Sequence, residues 1–138
     1  MAKRFMVRSA VAAGLVAVMA AVTGCAVPSF QIFFTNPGDY PVVSILVTPE
    51  SAEDWGPERL DAAVPADGSV LLPAKFARGA VYDVAIIYNT APETAEGNFV
   101  PLTTKVDTSA LQGGYVTLWA TLKTDGTSGA GYTYGLPD

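Results

Sequence analysis

The chain has 138 residues, a formal net charge of −5 at pH 7, one cysteine and no histidine. The absence of histidine excludes Ser-His-Asp and Cys-His catalysis, imidazole-ligated zinc and imidazole acid–base chemistry. The single cysteine excludes a disulfide within the chain.

The N-terminal segment has the features of an export signal. Its start is basic, through Lys3, Arg4 and Arg8. Residues 10–22 form an uncharged run of small and aliphatic side chains, and a Thr-Gly pair then precedes Cys25. The apolar run is shorter than the ~20 residues that a membrane-spanning helix needs. This order of segments predicts a secretory signal peptide over residues 1–24.

The sequence Val-Thr-Gly-Cys at 22–25 resembles the lipobox of bacterial lipoproteins. The resemblance implies a diacylglyceryl group on the Cys25 thiol, cleavage before Cys25 and acylation of the new amine. Two or more acyl chains anchor a protein stably in a bilayer, because each methylene buried in the membrane contributes ~0.8 kcal/mol to the binding. In such lipoproteins of two-membrane bacteria an Asp after the cysteine favours the inner membrane. Ala26 stands there, so the resemblance implies the outer membrane, on its periplasmic or surface side. The alternatives are a core cysteine after an ordinary signal peptide, and an uncleaved signal anchor.

The part of the chain from Cys25 on is acidic. It holds all thirteen acidic residues but only five of the eight basic ones, so its formal charge is −8. Such a charge repels phosphate, and nucleic acid is therefore not expected as a partner. It also repels an anionic bilayer, so the lipid must supply the attachment.

Strand-like segments separated by turn residues follow. The predicted strands cover 30–35, 42–48, 70–72, 81–88, 99–106 and 115–123. Pro37 and Gly38 occupy the central positions of a predicted type II turn, and Pro101 indicates an edge strand. In the last long strand, alternation places Val116, Leu118, Ala120 and Leu122 on the core face and the aromatic side chains on the other.

These segments predict an all-β fold, a single small β-sandwich that is immunoglobulin-like or a related Greek key. Residues 51–62 are predicted as a short helical crossover, because Ser51 and Asp54 have the spacing of a helix N-cap. After a short tether over 25–29, the sandwich domain is predicted over 30–123. Residues 124–138 are interpreted as a Gly/Ser/Thr linker with a Tyr-rich strand or tail.

The centre of the chain also resembles a family of small exported bacterial β-domains of largely unassigned function. The residues that carry this resemblance are Asn36, Ile45, Thr48-Pro49, Trp55-Gly56, Leu60, Gly68-Ser69 and Tyr82-Asp83-Val84. The resemblance covers about 36–88. It implies the fold and no activity, and residues 89–138 lie outside it.

Acidic residues concentrate around the predicted crossover: Glu50, Glu53, Asp54, Glu58 and Asp61. Calcium prefers several oxygen ligands, and the loops at one end of a sandwich can supply them. The competing interpretation is a solvated connection that uses its carboxylates for capping. A calcium-dependent binding or adhesion module is therefore an alternative function.

Aromatic residues near the C-terminus are the candidate contact surface: Tyr115, Trp119, Tyr132 and Tyr134. An exposed aromatic row can contact a glycan or a protein. The competing interpretation is that both sandwich faces are covered. Trp55 is interpreted as a plug over apolar residues, or else as an exposed stacking residue.

The residues together predict a lipid-anchored cell-envelope protein with a non-enzymatic binding, structural or assembly-accessory role. The expected partners are the membrane, through the lipid, and an envelope protein or a glycan. No cofactor is expected apart from the covalent lipid. A small carboxylate-based hydrolase is a further alternative, because Asp83 lies among apolar residues and could be a perturbed carboxylate.

Overall fold

The structure is a computed structural model that describes residues 28–137. Apolar and polar side chains alternate along many of its segments, a pattern that favours strands. These residues contain eight strands and no helix. The strands are β1 (Ser29–Thr35), β2 (Val42–Pro49), β3 (Ser69–Leu71), β4 (Phe76–Ala77), β5 (Val81–Asn89), β6 (Phe99–Asp107), β7 (Tyr115–Leu122) and β8 (Ser128–Tyr134). The prediction of an all-β domain is confirmed.

The strands form two sheets that pack as a small β-sandwich. In the five-stranded sheet, β3, β1, β7 and β8 lie side by side in this order, and β4 also pairs with β1. In the three-stranded sheet the order is β2, β5, β6. All pairs are antiparallel except β1 and β7, which run in the same direction. The strand that contains Pro101 lies at a sheet edge, as its proline predicts.

The core lies between the two sheets. Every second residue of β1 is buried, and Val116, Leu118 and Ala120 of β7 are fully buried beside them, as predicted. The opposite wall comes from β2, β5 and β6 and includes Ile45, Val47, Val84, Ile86, Tyr88 and Val106. Burying a side chain of this size contributes ~1.5–3 kcal/mol relative to exposure. This burial therefore holds the two sheets together.

Asn36 organises the turns at one end of the sandwich. It follows β1 directly and is buried. Its side-chain nitrogen donates to the carbonyl oxygens of Tyr40, Val64 and Pro65 at 2.9, 3.2 and 3.1 Å. Its side-chain oxygen accepts the Gly38 N–H at 3.2 Å. One amide thus satisfies backbone groups of two loops, which explains why an asparagine ends this strand.

Gly38 is required for space and not for a left-handed backbone. Its φ is not positive, so the predicted type II turn at 36–39 is wrong. A Cβ at this position would lie 2.7 Å from the backbone nitrogen of Leu122. The glycine therefore permits the loop after β1 to approach the end of β7.

The predicted helical crossover over 51–62 is also wrong. This segment is extended and runs beside the edge of β2, where Glu58 forms a bridge with Leu46. The Arg59 N–H donates to the carbonyl oxygen of Ile45 at 3.0 Å, and Gly56 has φ +78°. A left-handed residue and backbone bonds to a neighbouring strand are incompatible with a helix. The segment instead covers the β2 edge, which would otherwise expose unpaired backbone groups.

The C-terminal segment belongs to the sheet. Residues 128–134 form β8, which pairs with β7 over seven residue pairs from Val116↔Tyr134 to Leu122↔Ser128. The Gly/Ser/Thr-rich connection is a short hairpin in which Asp125 accepts the Thr127 N–H and hydroxyl at 2.9 and 2.7 Å. These bonds lower the pKa of Asp125. The sandwich therefore extends beyond the predicted limit at residue 123.

Candidate functional site

The side of the five-stranded sheet that faces away from the core carries no charge. We call it the outer face. Its residues are Ser69 and Leu71 of β3, Gln31, Phe33 and Thr35 of β1, Tyr115, Thr117, Trp119 and Thr121 of β7, and Gly129, Gly131 and Thr133 of β8. They share one side because cross-strand partners lie on the same face and successive residues alternate. None is Asp, Glu, Lys or Arg, so the strands themselves bring no formal charge to this face. Lys75, Asp61 and Asp67 line depressions at its rim.

The indole of Trp119 lies against the backbone of β8. A Cβ built on Gly131 would be 2.7 Å from Cζ2 and 3.0 Å from Nε1 of the ring, and one built on Gly129 would be 3.6 Å from Cζ3. Trp119 is nevertheless 37% exposed. One side of the ring is therefore packed on two glycines, while the other side is available for contact.

Tyr115 provides a second exposed aromatic side chain on the same strand, with 36% of its surface accessible. It precedes Trp119 by four positions, which corresponds to ~13 Å along a strand. Between them, the Thr117 hydroxyl donates to the carbonyl oxygen of Gly135 at 2.7 Å. This bond fixes the chain that leaves β8 beside Tyr115.

Two apolar residues that the sequence did not single out extend this surface. Phe33 of β1 is half-buried, and Leu71 of β3 is 40% exposed. They are direct cross-strand partners, and Phe33 also pairs with Thr117. The outward position of Phe33 could have been predicted from the sequence, because Phe30, Ile32 and Phe34 occupy the core face of the same strand. The position of Leu71 could not, since the pairing of β3 with β1 decides which face Leu71 lies on.

Shallow depressions border the outer face. One of about 170 Å³ includes Gln31 and Tyr115. A second of about 290 Å³ includes Ser69 and Leu71, and a third of about 150 Å³ includes Thr35 and Ser69. The face is thus flat over its aromatic centre and indented at its rim.

Tyr132 and Tyr134, the other two predicted contact residues, lie on the core side of β8. Their cross-strand partners are Leu118 and Val116, which are core residues. The Tyr134 hydroxyl donates to the carbonyl oxygen of Asp107 at 2.7 Å, and the Tyr132 hydroxyl accepts the Asp107 N–H at 3.2 Å. Desolvation, with the nearby Tyr132 and Asp107, raises the pKa of Tyr134. The four aromatic residues are therefore divided between two faces.

Asp107 ends β6, so these two tyrosines connect the edges of the two sheets. Asp107 itself accepts the Ser109 N–H at 2.9 Å, which lowers the pKa of the carboxyl. The C-terminal tyrosines thus bond to the sheet junction, while Tyr134 remains 44% exposed.

The five acidic residues considered for calcium are not brought together as a metal-binding group in the described part of the chain. Within residues 28–137, no group of three or more His, Cys, Asp or Glu side chains is placed to hold a metal ion. The Glu58 carboxylate accepts N–H groups of Ile45, Arg59 and Leu60 at 2.9, 3.0 and 2.9 Å, and the Ser44 hydroxyl also donates to it. Glu58 therefore caps the backbone of the segment that covers β2.

Asp83 and Glu50 share a lysine. Asp83 Oδ1 lies 2.6 Å from the Lys105 Nζ, and Glu50 Oε2 lies 3.2 Å from it. The Lys105 ammonium donates to both carboxylates, and these hydrogen bonds, first the one to Asp83, raise the pKa of Lys105. Asp83 and Lys105 are direct cross-strand partners. The carboxylate that the sequence suggested as perturbed thus belongs to an ion-paired cluster, and exposed ion pairs contribute little to stability.

Trp55 is buried on the outer side of the three-stranded sheet. It is 6% exposed and packs in a cluster with Leu46 and Ala85. The extended segment 51–62 carries it there. This position agrees with the interpretation of Trp55 as a plug, and it also explains why Ala85, which points away from the main core, has no exposed surface.

Cys25 lies outside the described residues. The described part begins at Pro28, and β1 begins one residue later. In this part, no helix is long and apolar enough to cross a membrane.

Comparison with known proteins finds similarity to a solved structure. No family model and no curated protein matches the chain. The chain is similar to the NMR structure of a protein from Eubacterium rectale, with 15% identity, a TM-score of 0.48 and coverage of 80% of this chain and 94% of that one. Similarity at this level carries no information about function.

Proposed function

We propose that this protein is a lipid-anchored binding protein of the cell envelope, without enzymatic activity, and that the outer face of the five-stranded sheet is its contact surface. One observation carries the proposal. The outer face is uncharged and holds exposed aromatic side chains, although the chain from Cys25 on has a formal charge of −8. A neutral apolar area on an otherwise acidic protein is typical of an interaction site.

The anchor is proposed at Cys25 on the lipobox resemblance, with the outer membrane as the location because Ala26 follows. The distance between anchor and fold supports contact close to the membrane. Ser29, the first residue of β1, follows Cys25 by four positions in the sequence, and at ~3.5 Å per step a chain of this length spans at most ~14 Å.

The proposal of a non-enzymatic role rests on the side chains available. The chain has no histidine, and the carboxylates of Asp83 and Glu50 are both paired with Lys105. Among the acidic residues near β2, Glu58 serves as an acceptor of backbone N–H groups. These arrangements support a protein that recognises its partner and does not transform it.

Anchoring can be tested with an alkyne analogue of palmitate in cells that produce the protein. We expect label on the wild-type chain, none on Cys25→Ala, and loss of that variant from the membrane fraction. A Thr23→Ala variant, which keeps the cysteine and a small residue before it, serves as the matched control and should be labelled. Equal labelling of Cys25→Ala would contradict the anchor.

The contact surface can be tested by cross-linking in intact cells followed by recovery of bound envelope components. We expect a Tyr115→Ala/Trp119→Ala double variant to lose at least one component that wild type recovers. Phe99→Ala removes an aromatic side chain that is 57% exposed on the other sheet, and it should leave recovery unchanged. Identical recovery for wild type and the folded double variant would contradict the proposal.

A further inference from the structure

We infer that the ligand of the outer face is a neutral glycan, a chain of uncharged sugar residues that stacks on Trp119. This inference rests on the proposed function, because it takes the outer face as the contact surface. It adds the chemical class of the ligand and the residue that contributes most to its binding.

The geometry of Trp119 matches the apolar side of a sugar ring. Such a ring presents several C–H groups on one side and hydroxyls around its edge, and the C–H hydrogens are attracted to the electron-rich face of an aromatic ring. Trp119 offers one ring face, because Gly131 and Gly129 pack against the other. The packing also restricts the indole against the backbone of β8, so little side-chain freedom remains to be lost on binding.

Polar groups around Trp119 match the hydroxyls of the same ligand. Thr35 lies beside Trp119 in the parallel pair β1–β7, and Ser69 lies beside Thr35. Both residues line a depression at the rim of the face. Hydroxyl groups both donate and accept, so they pair with sugar hydroxyls in either sense. Tyr115, ~13 Å along β7, supplies a second aromatic contact for a ligand longer than one sugar.

Charge distinguishes among glycans. The strands of the outer face have no Lys or Arg. Lys75 lines one depression at the rim, whereas Asp67 and Asp61 line the other two. Since the surrounding protein is also strongly acidic, an anionic polysaccharide would be repelled overall. A neutral sugar chain is not repelled by the acidic protein and needs no cationic partner. The negative charge of the protein and the absence of Lys and Arg from the strands of the outer face therefore favour an uncharged glycan.

Area distinguishes a glycan from a protein partner. Four strands spaced by ~4.8 Å and ~20 Å long give a face of ~400 Å². A stable protein–protein interface takes ~800 Å² from each partner, so the outer face alone is about half as large as it would need to be. An extended oligosaccharide requires only a narrow, flat surface of this kind.

The test uses the full chain, purified from membranes in a detergent without a sugar headgroup, such as lauryldimethylamine oxide. It is applied to an array of immobilised oligosaccharides that contains neutral glucans, xylans, mannans and chitooligosaccharides, together with polygalacturonate as an anionic probe. We expect at least one neutral series to bind with a Kd of about 1 mM or below and polygalacturonate not to bind. Trp119→Ala should weaken that binding at least tenfold, whereas Trp119→Phe should retain most of it.

Two further variants keep the outcome interpretable. Phe99→Ala, the matched loss of an exposed aromatic residue on the other sheet, should bind as wild type does. If Trp119→Ala fails to fold by circular dichroism, Tyr115→Ala takes its place with an expected loss of about threefold or more. Absence of binding to every neutral series, or full binding by both Trp119→Ala and Tyr115→Ala, would overturn the inference.

The same variants separate this inference from the proposed function. If no neutral glycan binds but cross-linking recovers an envelope protein in a Trp119-dependent manner, the glycan is wrong and the contact surface stands. If neither glycan nor envelope component depends on Trp119, both the glycan and the contact surface are wrong.

Discussion

The indole of Trp119 occupies the space that a side chain at Gly131 would need, with Cζ2 only 2.7 Å from the position of a Cβ. The two residues are direct cross-strand partners in β7 and β8. The exposed tryptophan is therefore not a loosely held surface residue. Its orientation depends on the absence of a side chain at its neighbour.

Substitution Gly131→Ala should disturb this contact. Adding a methyl group where Trp119 already lies should destabilise the fold by about 1–3 kcal/mol and displace the indole, which fluorescence can report. Gly129→Ala is the matched control, because its Cβ would be 3.6 Å from the ring, an ordinary contact. Urea unfolding of both variants checks the difference. Equal stability of Gly131→Ala and wild type would show that the ring moves without cost.

Substitution Asn36→Ala should be among the most damaging single changes at the loops. It removes one donor from each of the carbonyl oxygens of Tyr40, Val64 and Pro65. Val64 and Pro65 keep the backbone N–H groups of Val42 and Gly68, whereas the Gly38 N–H loses its side-chain acceptor, so we expect a loss of about 1–3 kcal/mol. Asn98→Ala, at an exposed asparagine bonded to Thr90, should cost less than about 1 kcal/mol. Chemical denaturation compares them, and similar losses would refute the role of Asn36 as the organising residue.

Stability should fall at alkaline pH partly through Tyr88. This side chain has no exposed surface, and desolvation raises the pKa of its phenol above the ordinary value of 10.0. The unfolded chain releases the proton first, so the contribution is fully present below pH 10 and is lost as pH rises above it, by at most about 1.4 kcal/mol per pH unit.

Tyr88→Phe removes this contribution. Between about pH 9 and 11 the variant should lose stability less steeply than wild type, and Tyr82, whose pKa burial also raises, should account for part of the remaining slope. Thermal melts across this range provide the measurement. Parallel slopes for the two proteins would contradict the assignment to Tyr88.

Removal of the Glu58 carboxylate should loosen the segment that covers β2. Glu58→Ala deprives the backbone of Ile45 and Leu60 of an acceptor, and we expect a loss of about 1–2 kcal/mol. Glu53→Ala, at an exposed position in the same segment, should change stability by less than about 0.5 kcal/mol.

A melting curve with millimolar calcium complements this pair. Since Glu58 is already occupied by N–H donors, we expect no shift of the melting temperature. A calcium-dependent rise that Glu58→Ala abolishes would instead restore the calcium alternative.

The strands could be predicted because their burial alternates. In β1 and β7 each core residue is followed by an outward one, and this period of two is a local property of the sequence. The prediction of a helix over 51–62 was wrong because Ser51 and Asp54 have helix-capping spacing. The conformation of this segment is instead decided by β2, to which it bonds through Arg59 and Glu58. A contact with a distant strand has no local signal.

The candidate site was predictable only in part for the same reason. Alternation within β7 was enough to place Tyr115 and Trp119 opposite the core. It could show that Tyr132 and Tyr134 share a side of β8, but which side depends on the register that pairs Tyr132 with Leu118. A shift by one residue would have turned both tyrosines outward.

The parallel pairing of β1 and β7 has a mechanical consequence. The proposed anchor precedes β1, and the proposed ligand contacts β7 at Trp119, so tension between membrane and ligand would act on these two neighbouring strands in opposite directions. Their five paired positions, from Gln31↔Tyr115 to Thr35↔Trp119, would then share the load in shear, and their backbone hydrogen bonds would have to break together and not one after another. With the proposed anchor and ligand in place, the fold would transmit a pull from the bilayer to the ligand through its most resistant direction.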